Sequence, residues 1–255
     1  MTVDVGVIGA TGLVGQEMLR ILEQRSFPVG TLRAYASPRS EGRALAFRDG
    51  EVTCEVLRDG CFDGVDIVIV DVDDPLALEW APVAAAAGAR VVDNSAAFRM
   101  EADVPLVVAE VNPEDLSDLP RGIASCPNCT TMVLVTALAP LHRAAGIDRM
   151  VVSTYQSVSG AGAPGIAELD TQWNKFAGDS ESLRRAATVD GLISPGEVWP
   201  KPIAGNVIPL AGSVRTRATR ATSGSWCTRA ARSCTTIRCA SPPPACACPC
   251  TSATP

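Results

Sequence analysis

Near its N-terminus the chain reads "VDVGVIGATGLVGQEMLRILEQ", and no other stretch restricts the fold so strongly. A short apolar run, Val3 to Ile8, ends in Gly9-Ala10-Thr11-Gly12-Leu13-Val14-Gly15, and Leu13, Met18, Leu19 and Leu22 then recur at helical spacing. Strand, glycine turn and helix in that order open a βαβ unit. Glycines let the backbone approach a pyrophosphate, and the helix N-terminus adds N–H groups and a partial positive charge to hold it. The stretch is a candidate dinucleotide cradle; the competing reading is a tight turn of purely structural use.

The alternation continues downstream. "TLRAYAS", "EVTCEVL" and "GVDIVIVDV" read as strands, "PLALEWAPVAAAAGA" as a helix feeding the strand "RVVDNS", and "PLVVAEV" and "GIASCPN" extend the pattern to the helix of "TTMVLVTALAPLHRAAG". Strands alternating with helices predict an α/β fold, a Rossmann-type doubly wound parallel sheet. From Met150 the texture changes. "MVVSTYQSVSG" predicts a long β-branched strand, "GIAELDTQWNKFAG" a helix, and a Pro/Gly-rich segment leads to "NVIPLAG". The expected layout is a dinucleotide-binding domain over 1–128, the start of an incomplete α+β substrate and dimerisation domain over 129–212, and an aberrant tail over 213–255.

Charge narrows the function classes. A net charge of -6 and a pI near 4.9 give no basic footprint for nucleic acid or an anionic membrane surface. The apolar stretch "MVLVTALAPL" is too short to span a bilayer, and the N-terminus has no export pattern. A cytoplasmic protein acting on a small molecule is expected.

Four segments carry candidate chemistry. In "ASPRSEGR", Arg39 and Ser40 stand where NAD enzymes place an acidic residue for the ribose. They suit a 2′-phosphate and favour NADP, the alternative being a solvated basic loop. In "SCPNCTT", Cys129 falls on the first turn of a helix, where the dipole and free N–H groups stabilise a thiolate nucleophile. Cys126 and Cys129 also form a C-x-x-C pair, so a redox dithiol and a buried unreactive thiol stay open. A zinc site would need a second pair, which this part of the chain lacks, and no metal is expected.

The third segment, "STYQSVSGAG", offers the Gln156 amide with Ser159 and Gly160 as donors near a reacting carbonyl and a nicotinamide, or else a polar strand end with a glycine turn. The fourth, "DNSAAFRM", offers Arg99 as a two-pronged clamp for phosphate or carboxylate, or else a surface ion pair. His142 is the sole histidine and invites the role of base. It lies about 18 Å along the helix from its start, which suits a helix-end residue better.

Taken together, "GATGLVG", "ASPRSEG", "VVDNSAAFRM", "PNCTT", "STYQSVSGAG" and "PIAGNVIP", in this order and spacing, resemble the aspartate-semialdehyde dehydrogenase family from the N-terminus to about Gly212. The resemblance implies an NADPH-binding Rossmann domain followed by a substrate and dimerisation domain in a homo-oligomer. It also implies that a cysteine attacks β-aspartyl phosphate, phosphate leaves, and hydride reduces the thioester to the semialdehyde. By that resemblance Cys129 is the nucleophile, Gln156 orients the acyl group, and Arg99 and Asn128 hold the phosphate. Gly9 and Thr11 to Gly15, with Arg39, Ser40, Ser159 and Gly160, face the cofactor. N-acetylglutamyl-phosphate reductases share the chemistry, but their nucleophile motif typically reads P-G-C-Y where this chain has "PNCT". A module that binds NADP without turnover is the reading of a different class.

Beyond Gly212 the resemblance stops. Of the ten cysteines, Cys227, Cys234, Cys239, Cys246, Cys248 and Cys250 crowd this tail, and no acidic residue follows Glu197. The family's acidic and Lys substrate contacts, its Arg and its base His are not recognisable there. Yet Ala221 to Cys239, "ATSGSWCTRAARSCTTIRC", is compatible with GC-rich codons that read "RDEWKLVHESRKILHDHPL" in the neighbouring frame. The same shift turns "ASPPPACACPCTSATP" into "RVSATCVRVPVHVGHA", which restores the Arg and His. A frameshift between about Gly212 and Ala221 is therefore expected, with the tail disordered and its cysteines carrying neither disulfide nor metal meaning; the competing reading is a genuine but divergent disordered tail.

Overall fold

The computed structural model describes residues 2–177, 180–185 and 193–209. The expectations about the tail, 213–255, lie outside them. The described residues fall into two compact units, one of 2–72 with those described between 154 and 209, the other of 73–153.

In the first unit, strand β1 (Val3–Ile8) runs into helix α1 (Leu13–Gln24), followed by β2 (Val29–Tyr35), β3 (Ala44–Phe47), β4 (Gly50–Glu55) and β5 (Ile67–Val70). Their order across the sheet is β3-β4-β2-β1-β5. β1 pairs in parallel with β2 and β5, β2 in parallel with β4, and β3 antiparallel with β4. Val5, Val7, Leu19, Val29, Ala34, Leu45 and Cys54 are buried together, so α1 seals one face of the sheet through its 3.6-residue stripe. Burying each of these larger aliphatic side chains contributes about 1.5–3 kcal/mol.

Strand β3 was not expected from the sequence. It exists because "FRDGE" makes a tight hairpin, with Arg48 in the left-handed region at φ 53° and Leu45 tucked into the core.

The later part of this unit contains α4 (Gly162–Phe176) and α5 (Ser180–Arg185). Buried Gln172 accepts from the Ile203 and Ala204 N–H groups and donates to Glu168, which in turn accepts from Val198 N–H. Two side chains of α4 thus order the following loop, and Ile193 and Ala204 pack there against Leu169. The long strand expected at "MVVSTYQSVSG" is corrected: Val151 to Ser157 pair with no strand among the described residues and are exposed. β-branched residues favour a pleated surface only when a neighbour supplies the ladder.

The second unit comprises α2 (Asp74–Ala86), β6 (Arg90–Asp93), β7 (Ile123–Ser125) and α3 (Cys129–Ala145). β6 and β7 pair in parallel, with Asp93 opposite Ser125. Val135 and Ala139 of α3 bury against Val108 and Val111. "PLVVAEV" is not a strand but a turn carrying one bridge, Leu106 to Ser125. The buried Asn112 side chain accepts from Val108 N–H and donates to the Leu106 carbonyl, satisfying the backbone that a strand would otherwise have paired. Among the described residues no helix is long and apolar enough to cross a membrane.

Candidate active site

The glycine turn sits where three parallel strands end. Ile8 lies opposite Tyr35 of β2 and Val70 of β5, and the Gly9 and Ala10 N–H groups both donate to the Tyr35 carbonyl. A crevice at the carboxyl ends of parallel strands is where open α/β sheets bind ligands.

Each glycine there answers a steric demand. Gly9 has φ +88°, and a Cβ on it would stand 2.1 Å from the Asp71 carbonyl oxygen; a Cβ on Gly15 would stand 2.2 Å from the Gly9 carbonyl oxygen. Gly12 is the N-cap of α1 and gives no side-chain cap. The N–H groups of Leu13, Val14 and Gly15 are therefore left for a ligand, as every helix N-terminus leaves its first donors. These residues fit a dinucleotide pyrophosphate, which would occupy the space the missing side chains leave open.

Arg39 and Ser40 follow β2 in a single 3₁₀ turn, Pro38–Ser40. Since Tyr35 anchors the glycine turn, β2 delivers them to the same edge of the sheet. Arg39 is exposed and makes no hydrogen bond or ion pair among the described residues. Among the described residues its charge is not spent on a surface pair.

In the same unit, Gln156 and Gly160 meet: a Cβ on Gly160 would lie 2.7 Å from Gln156 Nε2. The Ser159 N–H donates to the Ser157 hydroxyl across the start of a 3₁₀ turn, Val158–Ala161. Gln156, Ser159 and Gly160 are all exposed.

The second unit holds Arg99, Asn128 and Cys129. Cys129 is the first residue of α3 and is exposed. Asn128 caps that helix, its Oδ1 accepting from Thr130 N–H at 3.0 Å and from the Thr130 hydroxyl at 2.6 Å. Its side-chain NH₂ remains available to a ligand.

Among the described residues Arg99 forms no surface ion pair. Its Nε donates to the Cys126 carbonyl at 2.8 Å and its Nη2 to the Asn94 carbonyl at 2.9 Å. Three of its five N–H donors are not used by these bonds, so its charge can still face an anion.

Sequence reasoning missed the group beneath this loop. Asp93, wholly buried, accepts from Ser95 N–H and from the Ser95 and Ser125 hydroxyls. Burial raises its carboxyl above the usual range, opposed by the Ser95 bonds and by the Arg99 charge. The signal was present in "VVDNS", an acid ending a buried strand.

Cys126 is the wrong partner for a dithiol. Burial, and then the Asp93 charge, push its thiol up to about 11, leaving almost no thiolate at neutral pH. His142 lies in the last turn of α3, where its Nδ1 accepts from Ile147 N–H and its carbonyl from Gly146 N–H. Among the described residues no cluster of three His, Cys, Asp or Glu side chains is placed to hold a metal.

Known proteins match this arrangement over most of the chain. The semialdehyde dehydrogenase NAD-binding domain profile matches residues 4–119, and the semialdehyde dehydrogenase dimerisation domain profile matches residues 138–236. The aspartate-semialdehyde dehydrogenase of Streptomyces akiyoshiensis is 47% identical over 210 residues, 82% of this chain and 61% of that protein. Aspartate semialdehyde dehydrogenase II of Vibrio cholerae, solved in complex with ASA, is similar with a TM-score of 0.77 at 38% identity, covering 85% of this chain and 61% of that one. The Candida albicans enzyme, solved with NADP, gives 0.50 at 28% identity over 58% of this chain and 48% of its own.

The chain thus spans about three-fifths of the length of curated relatives such as these. Two consecutive domain profiles in the right order, a Rossmann-type sheet with its glycine turn, and relatives above 40% identity together establish that the chain belongs to the semialdehyde dehydrogenase family.

Proposed function

We propose that the protein catalyses the NADPH-dependent reductive dephosphorylation of L-4-aspartyl phosphate to L-aspartate 4-semialdehyde. The observation that carries this reading is Cys129 exposed on the first turn of α3, flanked by the Asn128 amide and by an arginine whose remaining donors are available to an anion. In this reading the Cys129 thiolate attacks the acyl carbon, the bond from that carbon to the phosphate oxygen breaks, and inorganic phosphate leaves with the electron pair. Arg99 and Asn128 hold the departing phosphate, and Gln156 donates to the acyl oxygen.

Bound NADPH supplies the hydride that reduces the thioester. The resulting thiohemiacetal expels the Cys129 thiolate and releases the aldehyde. Gly9, Thr11, Gly12, Leu13, Val14 and Gly15 receive the pyrophosphate, Arg39 and Ser40 the 2′-phosphate, and Ser159 and Gly160 the nicotinamide side. The preference for NADP is supported by the Arg39 charge, uncommitted among the described residues, and by the NADP-bound relative. Homodimeric assembly, supported by the dimerisation profile, and a cytoplasmic location belong to the same proposal. So does a domain layout of 1–128, 129–212 and a frameshifted 213–255.

The test uses two chains, the printed sequence and one whose reading frame is restored after Gly212, each with aspartate semialdehyde, phosphate and NADP. The restored chain forms NADPH, and Cys129→Ser abolishes both NADPH formation and the acyl adduct seen by mass spectrometry. The printed chain, without the restored His as general acid/base, turns over about 10²- to 10⁴-fold more slowly. A fully active Cys129→Ser variant, or activity lost equally in Cys126→Ala, would overturn the reading.

A further inference from the structure

We propose that Asp93 is a positioning residue for the nucleophile: its carboxylate, buried under the β7–α3 loop, fixes the backbone from which Cys129 projects. The proposal rests on the reading of Cys129 as nucleophile.

Only three residues, Cys126 to Asn128, connect β7 to α3, so the Cys129 thiol goes wherever the Cys126 peptide is held. That peptide is pinned on both sides. The Cys126 N–H donates to the Asp93 carbonyl at 2.7 Å, and the Cys126 carbonyl accepts from Arg99 Nε at 2.8 Å.

The Asp93 side chain organises both pins. One carboxylate oxygen accepts from Ser95 N–H at 3.2 Å; the other accepts from the Ser95 hydroxyl at 3.0 Å and from the hydroxyl of Ser125, the residue before Cys126, at 3.4 Å. The Ser95 hydroxyl in turn accepts from Ala97 N–H, setting the turn that ends in Arg99. Arg99 closes the circuit by gripping the Asn94 carbonyl with the same guanidinium that holds Cys126. A wholly buried carboxylate costs several kcal/mol to desolvate, and packing alone would be served as well by an apolar residue. What a charge adds here is a single acceptor group able to fix two hydroxyls, one backbone N–H and the orientation of a nearby cation.

The test compares the full-length parent with Asp93→Asn, measuring the rate at which iodoacetamide alkylates Cys129, located by fragment mass spectrometry, alongside NADP affinity. The amide keeps the size of the side chain and loses the charge. Alkylation slows about tenfold, because a displaced thiol loses the N–H groups and dipole at the start of α3 that favour the reactive thiolate, while NADP affinity stays within about twofold because the cradle lies elsewhere in the chain. A merely structural role would lower the melting temperature and leave the folded fraction alkylated at the parent rate; that result overturns the proposal.

Should Asp93→Asn fail to fold, Ser125→Ala removes a single hydroxyl and decides the matter: about threefold slower alkylation is expected as the thiol shifts from the α3 N-terminus that favours its thiolate, and an unchanged rate refutes the proposal. Failure of the catalytic reading is seen separately, as a parent that forms no acyl adduct although its alkylation still responds to Asp93.

Discussion

The glycine cradle and the cysteine loop both lie at a helix N-terminus, and in the proposed reaction each receives a phosphate, yet they are built from opposite materials. At α1 the site is made by leaving side chains out: Gly9, Gly12 and Gly15 clear the space, and the backbone supplies the donors. At α3 it is made by putting side chains in. Asn128 caps the helix, Arg99 spans two carbonyls, and the buried Asp93 holds two serines. The first design tolerates no added atoms, while the second tolerates no lost hydrogen bonds.

The sharpest way to break this comparison is at Gly9. Alanine there must take up φ +88° and place its methyl 2.1 Å from a carbonyl oxygen, at a cost of about 1–3 kcal/mol for the backbone conformation alone. Isothermal titration should find NADP binding weakened at least tenfold, about 1.4 kcal/mol, with Cys129 alkylation unchanged. If alkylation collapses as well, the two designs are not independent.

A second comparison uses pH. The Cys126 thiol, pushed up to about 11 in the folded chain, ionises near pH 8.5 when unfolded. The folded state keeps its proton longer, so the contribution of this thiol to stability is whole below about pH 8.5 and is lost as pH rises through 11. The amount is on the order of 3 kcal/mol. Urea midpoints at pH 8 and 10.5 should fall less steeply in Cys126→Ala than in the parent; equal slopes would place the thiol in contact with water. The smallest effect is expected at His142→Ala. Loss of the acceptor for Ile147 N–H costs about 0.5–1.5 kcal/mol, read as a lower melting temperature, with adduct formation on Cys129 unaffected.

The contrast in materials also explains what was legible in the sequence. Gly9, Gly12 and Gly15 announce themselves because a backbone-built site needs particular residues at fixed local spacing, and β1, α1 and β2 followed from the same short pattern. Cys129 was legible because its helix position is local as well. The Asp93 arrangement was not, because its bonds join residues 32 positions apart and nothing in the chain near Asp93 names Ser125. "VVSTYQ" and "PLVVAEV" misled for a related reason: both have strand composition, but pairing is supplied or withheld by distant chain, and in the second case the Asn112 side chain takes the place of a neighbouring strand.

Helix α1 rests on the same atoms that shape its cradle. The Cα of Gly15 packs so closely that an added Cβ would fall 2.2 Å from the Gly9 oxygen and 2.9 Å from the Ala10 Cα. Cofactor affinity and the docking of α1 are therefore one mutational trait: a lineage could not loosen or tighten the grip at this seam by small steps without unseating the helix. If Arg39 and Ser40 receive the 2′-phosphate as proposed, retuning toward another dinucleotide falls to these two residues of the 3₁₀ turn after β2, whose side chains can change without touching that seam.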